Sequence, residues 1–125
     1  MPGILVVDDN EDSIRIIQAV LENNGYTVRV ARSGKEALER VKEDLPQLVL
    51  LDVMMPEMSG MEVLERLRSS AQTASVPVIL LTAKAQDEDV ISGYQVGADY
   101  YITKPFTSKQ LLYGIRLVLG QESAS

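Results

Sequence analysis

Apolar residues in this chain fall into two rhythms that alternate from one end to the other: short unbroken runs, and stripes spaced three and four residues apart. Runs at Ile4–Val7 and at Leu48–Leu51 between Pro46 and Pro56 read as buried strands, the second buried on both faces because a half-exposed strand would alternate apolar with polar, and Val78–Thr82 reads as a further strand. The first of these is expected to be central. Tyr26 to Ala31, with Val28 and Val30 around Arg29, alternates as an edge strand does, and Tyr100 to Thr103 completes a set of strands. Between them lie helical stripes. Ile14, Ile17, Val20 and Leu21 share one face ahead of Gly25, and Ala37, Leu38 and Val41 follow the capping-box spacing Ser33-Gly34-Lys35-Glu36. The spacing recurs at Ser59-Gly60-Met61-Glu62 before Val63, Leu64 and Leu67, and at Thr107-Ser108-Lys109-Gln110 before Leu111, Leu112, Ile115, Val118 and Leu119, with Gly120 as the stop. Val90, Ile91 and Tyr94 predict a short fourth helix ending near Gly97. Ser69 to Ser75 reads as a polar loop.

Five strands alternating with five helices predict an α/β fold with a doubly wound five-stranded parallel sheet, since parallel neighbours need helical crossovers of about this length. One domain over residues 1–120 and a short tail, 121–125, account for the chain, with no repeat or linker to a second domain.

Composition narrows the chemistry. There is no cysteine and no histidine, which removes disulfides, thiolate metal sites, the usual zinc ligands and the Ser/His and Cys/His nucleophile pairs. A formal charge of -6 would repel a phosphate backbone, so direct nucleic-acid binding is not expected. No apolar run approaches a membrane span, and Met1-Pro2-Gly3 has no basic leader. A cytoplasmic, soluble protein is expected.

Open parallel sheets bind ligands at the carboxyl ends of their strands. Here those ends carry Asp8 and Asp9, then Asp52, Thr82 and Lys104. Each has a plain reading: Asp8, Asp9 and Asn10 as helix caps, Thr82 as a β-branched strand residue, Lys104-Pro105 as a turn. The conjunction says more. Carboxylates gathered in one crevice repel one another unless cations balance them. Lys104 is one such cation, and an all-oxygen site with open water positions suits Mg²⁺ as another. Such a site would receive a phosphoryl group, with the Thr82 hydroxyl donating to one of its oxygens. Asp52 is ionised near neutral pH and needs no neighbouring base to act as nucleophile, and phosphoryl transfer asks mainly for positioning and charge neutralisation.

Ile4-Leu5-Val6-Val7-Asp8-Asp9, Leu50-Leu51-Asp52-Val53-Met54-Met55-Pro56, Ser59-Gly60, Leu80-Leu81-Thr82-Ala83, Gly97-Ala98-Asp99 and Lys104-Pro105-Phe106 together resemble the receiver domain of two-component response regulators. The resemblance implies a flavodoxin-like fold of strand order 2-1-3-4-5. It implies that Asp52 is the phosphoacceptor, that Asp8, Asp9 and Asp52 hold Mg²⁺ with the Met54 backbone carbonyl, and that Thr82 and Lys104 contact the phosphoryl group. The donor would be a sensor histidine kinase or a histidine phosphotransfer protein in a phosphorelay. The protein would be a signalling phosphoacceptor rather than an enzyme. It also implies a switch: Tyr101, three residues before Lys104, turns inward as Thr82 moves, and the face of the fourth helix, fifth strand and last helix acts on a downstream output protein or domain.

Two departures bear on the output and the lifetime. The winged-helix branch of the family dimerises through charged pairs on that face, whereas the matching positions here include Tyr100, Gln110 and Gly114. A monomer or weak phosphorylation-dependent dimer is therefore expected. Met54, Lys84 and Pro105 flank the site, and Met54 and Lys84 can hinder an attacking water, which predicts a long-lived phosphoryl group. Other classes fit less well. A phosphatase that forms an aspartyl-phosphate would resemble a pattern with a second aspartate where Met54 stands, and the acidic Asp8-Asp9-Asn10-Glu11-Asp12 loop would repel a flavin phosphate. The remaining alternative is a receiver-fold binding module that acts without phosphorylation.

Overall fold

The structure, a computed structural model, describes residues 3–82 and 97–120. All the predicted strands are present: β1 (Ile4–Val7), β2 (Val28–Ala31), β3 (Leu48–Asp52), β4 (Val78–Thr82) and β5 (Tyr100–Thr103). They form one parallel sheet in the order β2-β1-β3-β4-β5, the order implied by the resemblance. Helices α1 (Glu11–Asn23), α2 (Gly34–Glu43), α3 (Gly60–Ser69) and α4 (Ser108–Leu119) pack around it. Here α4 is the predicted last helix. The helix expected around Val90, Ile91 and Tyr94 lies outside the described residues, as do Lys84 and the 121–125 tail. β1 has neighbours on both sides, but the middle of the sheet is β3. β2 begins at Val28 rather than Tyr26, because the Tyr26 N–H is bonded to the Leu21 carbonyl at the end of α1 (3.0 Å).

Strand alternation splits the core in two. Ile4 and Val6 of β1, Leu48 and Leu50 of β3, Ile79 and Leu81 of β4 and Ile102 of β5 pack with α1 and α4 through Ile17, Leu21, Leu111 and Ile115. The intervening residues, such as Leu5, Val49, Leu51 and Leu80, pack with α2 and α3 through Ala37, Val41, Val63, Leu64 and Leu67. Both faces are covered, which is why the inner strands read as unbroken apolar runs. β2, at the edge, is only partly buried along Val28–Val30.

The helix starts differ from their spacing in an instructive way. Ser33 and Ser59 accept the Glu36 and Glu62 N–H groups as expected. Neither glutamate bonds the cap's own N–H: Glu36 reaches one residue past it, accepting the Arg32 N–H with one oxygen while the other pairs with Arg40, and Glu62 pairs with Arg66. An arginine four residues on competes for each carboxylate. Gln110 is neutral and meets no such rival, so Thr107 and Gln110 form the reciprocal capping box.

The loop after α3 is tied down rather than loose. Thr73 is buried and its hydroxyl donates to the Leu67 carbonyl (2.6 Å), closing the end of α3. Arg68 fans out from the same turn: Nε donates to Gly97 O (2.9 Å), Nη1 to Val76 O (2.7 Å) and Nη2 to the Asp99 carboxylate (3.1 Å). Asp99 in turn accepts the Val78 N–H at 2.8 Å, so one guanidinium fixes the amino ends of both β4 and β5. Arg66, in contrast, makes an exposed pair with Glu62. Replacing Arg68 by Ala strips charged donors from partly buried acceptors and is expected to lower the unfolding free energy by about 2 kcal/mol. Arg66→Ala should change it by less than about 0.5 kcal/mol. Urea denaturation of the two variants side by side checks the contrast, and equal losses would contradict it.

Candidate functional site

The register of the sheet gathers the site. Val6 lies opposite Leu50, and Leu81 opposite Ile102. Asp8, Asp52 and Lys104 each follow one of these inward residues by two positions, so their side chains leave the sheet on the α1/α4 side. The parallel register thus brings together groups that are far apart in sequence. Lys104 Nζ lies 3.3 Å from Asp8 Oδ2 and 3.4 Å from Asp52 Oδ2, bridging the two carboxylates. Its own backbone is held by a bond from its N–H to Thr82 O (2.6 Å), which continues the β4–β5 ladder beyond Thr103. Pro105 follows across a cis peptide bond and is exposed.

Asp8 is fully buried and Asp52 nearly so, whereas Asp9 is exposed. Carboxylate oxygens of all three lie within 4.8 Å of one another. Asp8 Oδ1 accepts the Asn10 N–H (3.0 Å) and Asp52 Oδ1 the Met54 N–H (3.1 Å). The capping reading of this turn belongs to Asn10, whose side chain accepts the Ser13 N–H at the start of α1. Asp8 and Asp9 are thereby left for other work. The donors are all oxygen and two of the carboxylates are buried, a set that fits Mg²⁺ and does not fit a soft metal.

Thr82 approaches from the other side of the sheet. It follows Leu80, which packs toward α2 and α3, and its Oγ1 is buried with no hydrogen-bond partner. A buried hydroxyl left without a partner costs about 1–3 kcal/mol, so a β-branched packing role alone would be better met by valine. Tyr101 lies opposite Leu80 in register and is half-buried against the same core, which puts Thr82 and Tyr101 on one face. Met54 stands at the rim, 70% exposed.

The loop after β3 adds a residue whose role its sequence does not announce. Gly60, buried at the start of α3, donates its N–H to Val53 O (3.0 Å). A Cβ there would lie 2.3 Å from the carbonyl oxygen of Asp52. Its sequence signals are its place in the Ser59-Gly60 pair that shares in the family resemblance and a glycine at the first position of a helix, where better helix formers are available. Glu57 in the same loop takes a left-handed conformation (φ 67°).

The sequence profile of the response regulator receiver domain matches residues 4–116. The chain belongs to the response regulator receiver family. Over 118 residues this receiver domain is 46% identical to the transcriptional regulatory protein YkoG of Bacillus subtilis, covering 94% of this chain and 51% of that protein. It is 45% identical over 120 residues to the transcriptional regulatory protein DltR of Streptococcus agalactiae, covering 96% of this chain and 53% of that one. The chain thus spans about half the length of the curated relatives it matches. Among solved structures it is similar to the chemotaxis protein CheY4 of Vibrio cholerae, with a TM-score of 0.89 and 31% identity, covering 94% of this chain and 98% of that one. Among the described residues no helix is long and apolar enough to cross a membrane.

Burial, and after it the negative charge of Asp8, push the Asp52 carboxyl of this receiver domain up to about 6, against the pull of Lys104 and the Met54 N–H. The folded chain therefore holds a proton that the unfolded chain has already released. In the metal-free protein this favours folding below about pH 4, and the contribution is lost as pH rises from there through about 6. Asp52→Asn removes that dependence. Chemical denaturation between pH 4 and 7.5 without divalent cations should show the variant gaining on the wild type as pH rises; a constant difference would contradict the assignment.

Proposed function

We propose that this receiver domain accepts a phosphoryl group on Asp52 from a phosphohistidine of a sensor histidine kinase or phosphotransfer protein. The observation that carries this reading is the lysine between two buried carboxylates, with a buried hydroxyl that lacks a partner at the end of the neighbouring strand β4. Once a divalent cation offsets the carboxylates, such a site suits an anion with oxygens to accept hydrogen bonds.

With a carboxyl titrating near 6, Asp52 is ionised roughly ten to one at pH 7. One of its oxygens attacks phosphorus as the bond from phosphorus to the donor's imidazole nitrogen breaks. The imidazole leaves with the electron pair and takes up a proton. Lys104 moves its charge onto the phosphoryl oxygens, and Thr82 Oγ1 gains the acceptor it lacks. Asp8, Asp9, Asp52 and the Met54 backbone carbonyl would hold Mg²⁺, which when bound offsets the negative charge of the carboxylates and phosphoryl oxygens. The product is an aspartyl phosphate, and the protein acts as a signalling phosphoacceptor that turns over no other substrate.

The response follows from Thr82. Drawn to the phosphoryl group, it leaves space beside Tyr101 on the same face of the sheet, and phosphorylation shifts the population toward a state with Tyr101 turned inward. β5 and α4 carry that change to an output protein or domain. Several relatives are named as transcriptional regulatory proteins. The charge of -6 makes this domain itself a poor ligand for DNA, so a regulatory role on transcription would act through another domain or protein. The protein works as a cytoplasmic monomer or a weak phosphorylation-dependent dimer.

Incubation with Mg²⁺ and acetyl phosphate should add one phosphoryl group by intact mass, with no adduct in Asp52→Ala or in the presence of a chelator. Absence of an adduct on the wild type would leave a binding module that acts without phosphorylation. Thr82→Ala should still accept the group, while the amide shifts that phosphorylation induces across β5 and α4 largely vanish. Because Met54 overhangs the rim, Met54→Gly should shorten the adduct's half-life severalfold, and an unchanged half-life would remove Met54 from that role.

A further inference from the structure

Two helices of this domain begin with the same pair, Ser33-Gly34 and Ser59-Gly60, and each glycine is buried as the first helical residue. Neither takes a positive φ, so backbone freedom does not explain them. Space does. A Cβ on Gly34 would lie 2.8 Å from Val63 Cγ2 and 2.9 and 3.0 Å from Sδ and Cβ of Met58. Met58 immediately precedes the Ser59 cap, and Val63 stands in the first turns of α3, so the start of α2 rests directly on the start of α3. Gly60 repeats the arrangement one layer further in, against the Asp52 carbonyl and Val53 Cα.

The first contact has little room to relax. Val63 is fully buried and its β-branched side chain is confined to few rotamers. α2 cannot readily back away, because it is tied to β2 at both ends. Arg29 donates to the Arg40 and Asp44 carbonyls at its far end (3.0 and 2.9 Å), and the Arg32 N–H is bonded to Glu36 at its near end (2.8 Å). An added group at Gly34 therefore displaces the start of α3, and the start of α3 touches the Asp52 backbone.

We propose that Gly34 is a positioning residue for the metal and phosphoryl site: two bare glycine contacts in series, Gly34 on Met58 and Val63 and Gly60 on Asp52, set where the Asp52–Met54 backbone stands. The proposal rests on the reading of that site given above. It assigns α2, which contributes no group to the site, a part in its affinity.

The test uses Gly34→Ala, Val63→Ala and the double variant, each with its thermal midpoint recorded and all measured well below it. In Gly34→Ala without metal, backbone amide shifts should change across residues 52–60, and Mg²⁺ affinity by calorimetry should fall roughly tenfold, the scale seen when outer supports of a metal site are disturbed. Val63→Ala alone should bind Mg²⁺ nearly as the wild type does. The double variant should recover part of the loss, because the nearest colliding atom is gone while the Met58 contact remains. Shifts confined to α2, or Mg²⁺ affinity in Gly34→Ala within twofold of wild type, would overturn the proposal, as would a double variant no better than Gly34→Ala. A wild type that binds no Mg²⁺ overturns the site reading itself, and the metal-free amide shifts report separately on whether the two glycine contacts are linked.

Discussion

One electrostatic constraint governs the carboxyl end of this sheet. Two carboxylates, Asp8 and Asp52, are buried side by side, and the ammonium of Lys104 sits between them. Buried charges of like sign are tolerated only when something offsets them. The offset here is partial, since Asp52 remains shifted upward even with Lys104 in place. The rest of the architecture can be understood as the means of holding that imbalance: a register that puts the three side chains on one side of the sheet, a ladder bond that fixes the Lys104 backbone, and N–H groups of Asn10 and Met54 that each satisfy one carboxylate oxygen.

Much of this was legible in the sequence, for a physical reason. Runs such as Leu48–Leu51 are unbroken because both faces of the sheet are covered, so they mark strands and their ends with little ambiguity. Once the ends are known, an open parallel sheet dictates that Asp8, Asp9, Asp52, Thr82 and Lys104 stand in one crevice. Strand order was a different matter. It depends on which neighbours pair, and it came from the resemblance to receiver domains rather than from any run or stripe. The start of β2 was misplaced by two positions, Tyr26 against Val28, because a local bond to the end of α1 outranks the alternation pattern there.

What the sequence concealed was the support. Capping-box spacing does not say whether a glutamate will turn back to its own helix start or forward to an arginine four residues on; Glu62 turns forward, and Glu36 divides its two oxygens between the Arg32 N–H behind and Arg40 ahead. Arg68 looks like one more charge on an amphipathic helix, yet its three donors reach both the segment before β4 and the segment before β5. Gly34 and Gly60 look like interchangeable turn residues. Their importance lies in what a side chain would strike, a property of the assembled molecule and not of the segment. Composition, in contrast, limited the chemistry early, because a chain without histidine or cysteine leaves an ionised aspartate as the natural nucleophile.

The alternation that divides the core also divides the labour of the molecule. Asp8, Asp52 and Lys104 belong to the side of the sheet covered by α1 and α4; Thr82 and Tyr101 belong to the side covered by α2 and α3. The proposed chemistry and the proposed readout thus belong to opposite surfaces of a layer one strand thick and meet at its rim. A single-residue slip of β4 would turn the Thr82 hydroxyl to the side of α1 and α4, away from Tyr101, and so part the proposed readout from its trigger.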